Sequence, residues 1–167
     1  MPKLVRAGLR INRWLETEGR VPEDFPADVV TDLRTTGDEV SVFEITDTVS
    51  AERIAIALAA GKREPDHTAY ALFERAAIEE LRIGIRGRRG GTYDDEVNNT
   101  HYDLHVGTVR RLVQLAGVIA KGQIGPMLKG RVTELLRSGF ESGQIDYSKN
   151  RALCDKVRAR IPTHKLE

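Results

Sequence analysis

Between Arg86 and His105 the chain carries a basic glycine-rich stretch, Arg86-Gly87-Arg88-Arg89-Gly90-Gly91, that runs into acids, amides and two of its four histidines. Imidazole titrates near neutrality and also ligates metals. His101 and His105, with Asp103 between them, are therefore candidates for acid–base catalysis on a polar substrate. Wound into a helix at about 100° per residue, Asp94, Asn98, His101 and His105 form one stripe beside Tyr93, Val97, Thr100 and Leu104. Asp94, His101 and His105 then become candidate ligands for a divalent metal ion, since histidines one helical turn apart match helical zinc sites. The acid of the familiar metalloprotease pattern is displaced here, because the run reads His-Tyr-Asp-Leu-His. An extended segment would instead bring His101, Asp103 and His105 to one face by alternation. Without chemistry, the same residues make a solvated polar helix whose aspartates favour its own N-terminus.

Arg86, Arg88 and Arg89 could pair with an anion bidentately, while the glycines let backbone approach it. The stretch matches neither the Walker loop, which ends in Gly-Lys-Ser/Thr, nor the dinucleotide fingerprint. Asp94, Asp95 and Glu96 would repel an anion at the helix start, so the arginines either neutralise these acids or dock on an acidic partner. A basic set on the last helix, Lys149, Arg151, Lys156, Arg158 and Arg160, is diluted by Asp146 and Asp155 and reads as a solvated face. No serine lies in a nucleophile elbow, and Cys154 reads as a core residue.

The elements that must position these groups follow from periodicity. Lys3 to Ile11 alternates, with Val5, Ala7, Leu9 and Ile11 on one face, and predicts a first strand. Val40 to Ile45 predicts a second, and Leu81 to Arg86 a short third. Helices are expected from Pro26, from Ala51 to Ala60 behind a Ser50 cap, and from Asp66 through Tyr70, Phe73, Ala77 and Leu81. Further helices are expected from Thr92 to His105, across Val109 to Ala120, from Gly125-Pro126 to Gly139, and from Ser148 to Arg160. The expected fold is α+β: a small sheet of about three strands in the N-terminal half, packed against helices, followed by an all-helical C-terminal half.

A chain of 167 residues, 40% hydrophobic and 31% charged, fits one domain over 1–167. Residues 87–92 offer the one internal boundary, between a mixed α/β part over 1–86 and a helical part over 93–161. A net charge of +1 provides no global field for DNA or an anionic membrane. One cysteine permits neither an intrachain disulfide nor a cysteine zinc site, in keeping with a reducing, cytoplasmic setting. The N-terminus lacks a secretory pattern, and no apolar run is long enough to span a bilayer, so no membrane association is expected.

The first functional expectation is a cytoplasmic, non-catalytic interaction or regulatory protein, self-associating or binding a protein partner, because Ala51 to Ala60 and Val109 to Ala120 are so apolar. The second is a small metal-assisted hydrolase acting on a phosphate-containing or polar small molecule. There His101 and His105 serve as ligands or bases, Asp94 and Asp103 support them, and Arg88 and Arg89 clamp the anion. The third is nucleic-acid binding through a local patch of Arg86, Arg88 and Arg89.

Overall fold

The computed structural model describes residues 1–33 and 36–159. Its elements run β1 (Lys3–Leu9), α1 (Ile11–Leu15), α2 (Ala27–Asp32), β2 (Glu39–Glu44), α3 (Ala51–Ala59), β3 (Thr68–Glu74), α4 (Arg75–Glu80) and β4 (Gly84–Gly87). The second half continues with α5 (Asp95–Asn99), β5 (His101–His105), α6 (Val109–Lys121), β6 (Gln123–Met127), α7 (Lys129–Glu141) and α8 (Arg151–Ala159). All six strands join one sheet in the order β4-β5-β2-β1-β3-β6, with every neighbouring pair antiparallel.

Helices cover both faces. Val5, Ala7 and Phe43 point into a core shared with α3, α7 and α8. Leu4, Val40, Val42, Ala69, Ala71 and Leu104 point into a second core shared with α1, α2, α4 and α6. Ser50 caps α3 by accepting from the Arg53 N–H, and Thr108 caps α6 in the same way through Arg111. The apolar faces of these two helices are buried inside the chain, at Ile54, Ala55 and Ile56 in α3 and at Leu115, Ala116 and Ile119 in α6. Among the described residues no helix is long and apolar enough to cross a membrane.

The expected three-stranded sheet with an all-helical second half is overturned by this topology. Two of the six strands, β5 and β6, lie in the second half, and helices are interspersed throughout. The physical reason is that a strand buried on both faces shows no clean alternation and resembles a buried helix. In Thr-Ala-Tyr-Ala-Leu-Phe-Glu the spacing of Tyr70 and Phe73, three apart, suits a helix. Paired with β1 and β6, it is β3, and only Arg75–Glu80 is helical. Pro126 signalled a helix start, yet it lies in β6 at the sheet's edge, where a missing N–H costs least. The α8 helix ends its described span at Ala159, and the expected Arg160 end lies outside the described residues.

One local feature redirects β1. Gly8 has φ of 79°, and the register with β3 shifts between Ala7 and Leu9. The inserted residue reverses the alternation, so Leu9 enters the second core while Val5 and Ala7 face the first. The expected common face of Val5, Ala7 and Leu9 is therefore divided. Pairing of β1 with β2 is confined to Leu4 with Glu44 and Val5 with Phe43. Where it stops, the Arg6 guanidinium donates to the carbonyls of Ser41 at 2.8 Å and Leu33 at 2.6 Å.

Candidate functional site

The segment from Arg86 to His105 folds into four pieces: the end of β4, a loop, the short helix α5 and strand β5. Asp94, not Thr92, is the helix N-cap, with its carboxylate accepting from the N–H groups of Glu96 and Val97. Helix α5 ends at Asn99, so the expected helix to His105 is replaced by a strand from His101 onward. Pairing with both β2 and β4 satisfies the backbone of β5 on two sides, which outweighs the helical spacing of its histidines. His101, Asp103 and His105 now share a sheet face by alternation. Four residues of strand separate the two histidines by roughly 13 Å. His101 is buried at 7% exposure, whereas His105 is exposed at the strand's far end. Among the described residues no three His, Cys, Asp or Glu side chains are grouped to hold a metal ion.

Asp94 is separate from these groups and is held in the interface with α3. At 1% exposure it accepts from Arg53 Nε at 2.7 Å, Arg53 Nη2 at 3.0 Å and Gln144 Nε2 at 3.2 Å. Burial alone would push its pKa up. Hydrogen bonds from Arg53, Gln144 and the Val97 N–H, with the Arg53 charge, outweigh burial and hold it below the ordinary aspartate value. The hydrogen bond to Asp94 in turn raises Arg53 above the usual guanidinium value, against the opposing effect of burial. Arg53 and Gln144 escaped sequence reasoning. A usable signal existed for Arg53: a cation in the first turn of an apolar helix opposes the helix dipole and calls for an acid partner.

The glycine-arginine loop is pinned against α5 and β5. The Arg88 N–H donates to the His101 carbonyl at 3.2 Å, and the Gly90 N–H to the Asn98 carbonyl at 2.8 Å. Asn98 Oδ1 accepts from the Thr92 N–H at 2.7 Å and its hydroxyl at 2.8 Å, while Asn98 Nδ2 donates to the Thr92 carbonyl at 3.0 Å. A Cβ on Gly90 would lie 3.0 Å from Asn98 Oδ1 and 3.2 Å from His101 Cβ, so glycine serves a close approach to α5 and β5 here. Replacing Asn98 by alanine is expected to release the loop locally: the Thr92 amide should exchange hydrogen at least tenfold faster, because about 1.4 kcal/mol of opening free energy is a factor of ten. Unchanged exchange there would show that Asn98 is not the clip.

His101 is the second pin. Its Nδ1 lies 2.9 Å from the Arg88 carbonyl, an acceptor that requires the proton on that nitrogen. Its Nε2 lies 3.5 Å from Asp103 Oδ1, and its ring meets Phe43 edge-on with centroids 5.1 Å apart. Asp103, 5% exposed, is also approached by the Ser41 hydroxyl at 3.4 Å and Arg88 Nε at 3.6 Å. With both ring nitrogens facing protein groups, His101 would have to give up one contact to act as a base or a metal ligand. Ser41 was not singled out by sequence; it faces Asp103 because β2 and β5 pair in the register Ser41 with Asp103.

The arginines end on the outer strand and the loop that follows it. Arg89 meets Asp95 at 3.1 Å, with both side chains mostly exposed. Arg86 stands opposite Asp103 in register, yet among the described residues its side chain forms no hydrogen bond or ion pair. Fold and site together define an α+β protein with a doubly covered antiparallel sheet and a basic outer edge. Comparison with protein families, with curated proteins and with solved structures finds no match.

Proposed function

We propose that this protein is a cytoplasmic, non-catalytic interaction protein whose basic sheet edge receives an acidic, extended segment of a partner protein. The observation that carries this reading is the grouping of Arg86, Arg88 and Arg89 at outer strand β4 and the pinned loop beyond it. An outer strand offers unpaired backbone groups to an added strand. Arginine forks suit carboxylates on that strand, and the exposed Arg89–Asp95 pair is weak enough to exchange. Self-pairing of β4 would bring like charges together across the ladder, which favours a partner of opposite charge over a second copy.

The test is fluorescence anisotropy with a short labelled peptide alternating glutamate and valine, beside the same peptide N-methylated at alternate residues. The plain peptide should bind about tenfold more tightly, since N-methylation removes ladder hydrogen bonds each contributing about 1 kcal/mol. Arg86→Glu combined with Arg89→Glu should abolish binding. Equal binding of both peptides would leave charge attraction alone and reject strand addition. Tighter binding of a short DNA duplex, falling steeply with salt, would replace this reading with nucleic-acid recognition.

A further inference from the structure

Outer strand β4 presents two different side-chain rows to anything that pairs with it. The Arg88 N–H donates to the His101 carbonyl, one step beyond the register that pairs β4 with β5. In an antiparallel ladder alternate residues turn their backbone groups to the same neighbour. Gly84 and Arg86 therefore face β5, while Ile85 and Gly87 offer their N–H and C=O groups outward. Gly84, Arg86 and Gly87 are exposed, so the edge is open.

Arg86 shares one face with Asp103, whose carboxylate is approached by His101, Ser41 and Arg88. Arg89 turns to Asp95, which leaves Arg86 as the cation of this group whose side chain has no ion pair among the described residues. An added strand would lie about 4.8 Å beyond β4 and about twice that beyond β5, so its side chains meet Arg86 before Asp103. On the opposite face Gly87 pairs with Tyr102. A Cβ on Gly87 would meet Tyr102 Cε1 at 3.4 Å and Cδ1 at 3.7 Å, so the half-buried ring lies beside the glycine at the open edge. The Gly87 backbone is not left-handed, so its conformation does not demand glycine. What the missing side chain provides is access to the Tyr102 ring.

The geometry points to a partner strand that carries an acid opposite Arg86 and, next to it in sequence, an aromatic residue opposite Gly87 whose ring packs on Tyr102. The inference rests on strand addition at β4 and adds its specificity. Adjacent residues of a strand point to opposite faces, so the acid and the ring each reach their own row. Edge-on or offset contact between the two rings adds to the apolar area that the larger side chain buries.

The experiment measures fluorescence anisotropy of labelled peptides of one length, with Glu-Phe-Glu, Glu-Val-Glu or Gln-Phe-Gln at the centre of a threonine-valine strand, against the full chain. The symmetric centre serves either strand direction. Glu-Phe-Glu should bind at least about fivefold more tightly than either of the others. Gly87→Val fills the slot, and Tyr102→Leu keeps apolar volume without the ring; both should lose the preference for phenylalanine over valine. Phenyl protons of the bound peptide should show nuclear Overhauser effects to the Tyr102 ring. Equal binding of Glu-Phe-Glu and Glu-Val-Glu, with N-methylation still weakening both, would overturn the aromatic position and leave strand addition standing. Binding of no peptide would reject both readings. A phenylalanine preference that survives in both variants, or tighter binding of a single-stranded oligonucleotide that stacks on Tyr102, would also overturn the assignment.

Discussion

Replacing Asp94 by alanine is expected to destabilise the fold by about 3–5 kcal/mol, the range for removing one partner of a buried ion pair. The thermal midpoint should fall by roughly 6–20 °C in a domain of this size. The loss has three sources. Arg53, 19% exposed in its side chain, loses its buried, two-point carboxylate partner and keeps the more exposed Glu96 and the Thr48 carbonyl. Helix α5 loses its N-cap, which contributes about 1 kcal/mol, and Gln144 loses the acceptor that ties the end of α7 to α5. Asp94→Asn keeps a capping oxygen but not the charge, and should fall between the two.

The same carboxylate makes stability depend on acid. Its pKa is depressed in the folded state, so its contribution is complete above the unfolded value near 3.9 and is lost as pH falls through the lower folded value. The stability gap between the wild type and Asp94→Asn, measured by urea unfolding, should therefore shrink from pH 7 to about pH 2.5. A gap that stays constant over that interval would rule out the ion pair as its source.

Gly122→Ala is the second large effect, expected to cost about 3 kcal/mol, the upper end for overpacking a tight site. A Cβ there would stand 2.6 Å from the Leu72 carbonyl oxygen and 3.1 Å from that of Ile119. Both are backbone atoms, so relief requires moving the turn from α6 into β6 away from β3. Gly130→Ala provides the contrast, since nothing lies within 4 Å of its Cβ position and the residue is helical. That change should be neutral or stabilising by up to about 1 kcal/mol. Urea midpoints of the two variants check the pair, and equal midpoints would mean that the β3–β6 junction yields more easily than its packing implies.

Local chemistry was legible wherever one residue and its neighbours decide the outcome. The cap at Ser50 signals the start of α3, and the alternation that begins at Lys3 and the β-branched run at β2 mark their strands. Cys154 is a core residue as expected, and so is Trp14, whose Nε1 donates to buried Asp32 at 2.9 Å, a partnership with no sequence signal. The candidate site fared differently. Asp94, Asn98, His101 and His105 form a stripe only if one helix runs through them, and the chain leaves the helix at Asn99.

The sequence was sufficient for composition, the Ser50 cap, and the presence of arginines, acids and histidines within one stretch. Those properties depend on neighbours within a few residues, whose spacing is explicit. Strand membership of β3, β5 and β6, the Ser41–Asp103 register and the Arg53–Asp94 pair depend on partners up to 71 positions apart, as for Lys3 and Glu74. Burial on both faces removed the alternation that would have marked β3. Which residues meet across a sheet is set by register, and register is a property of the assembled sheet rather than of any one strand.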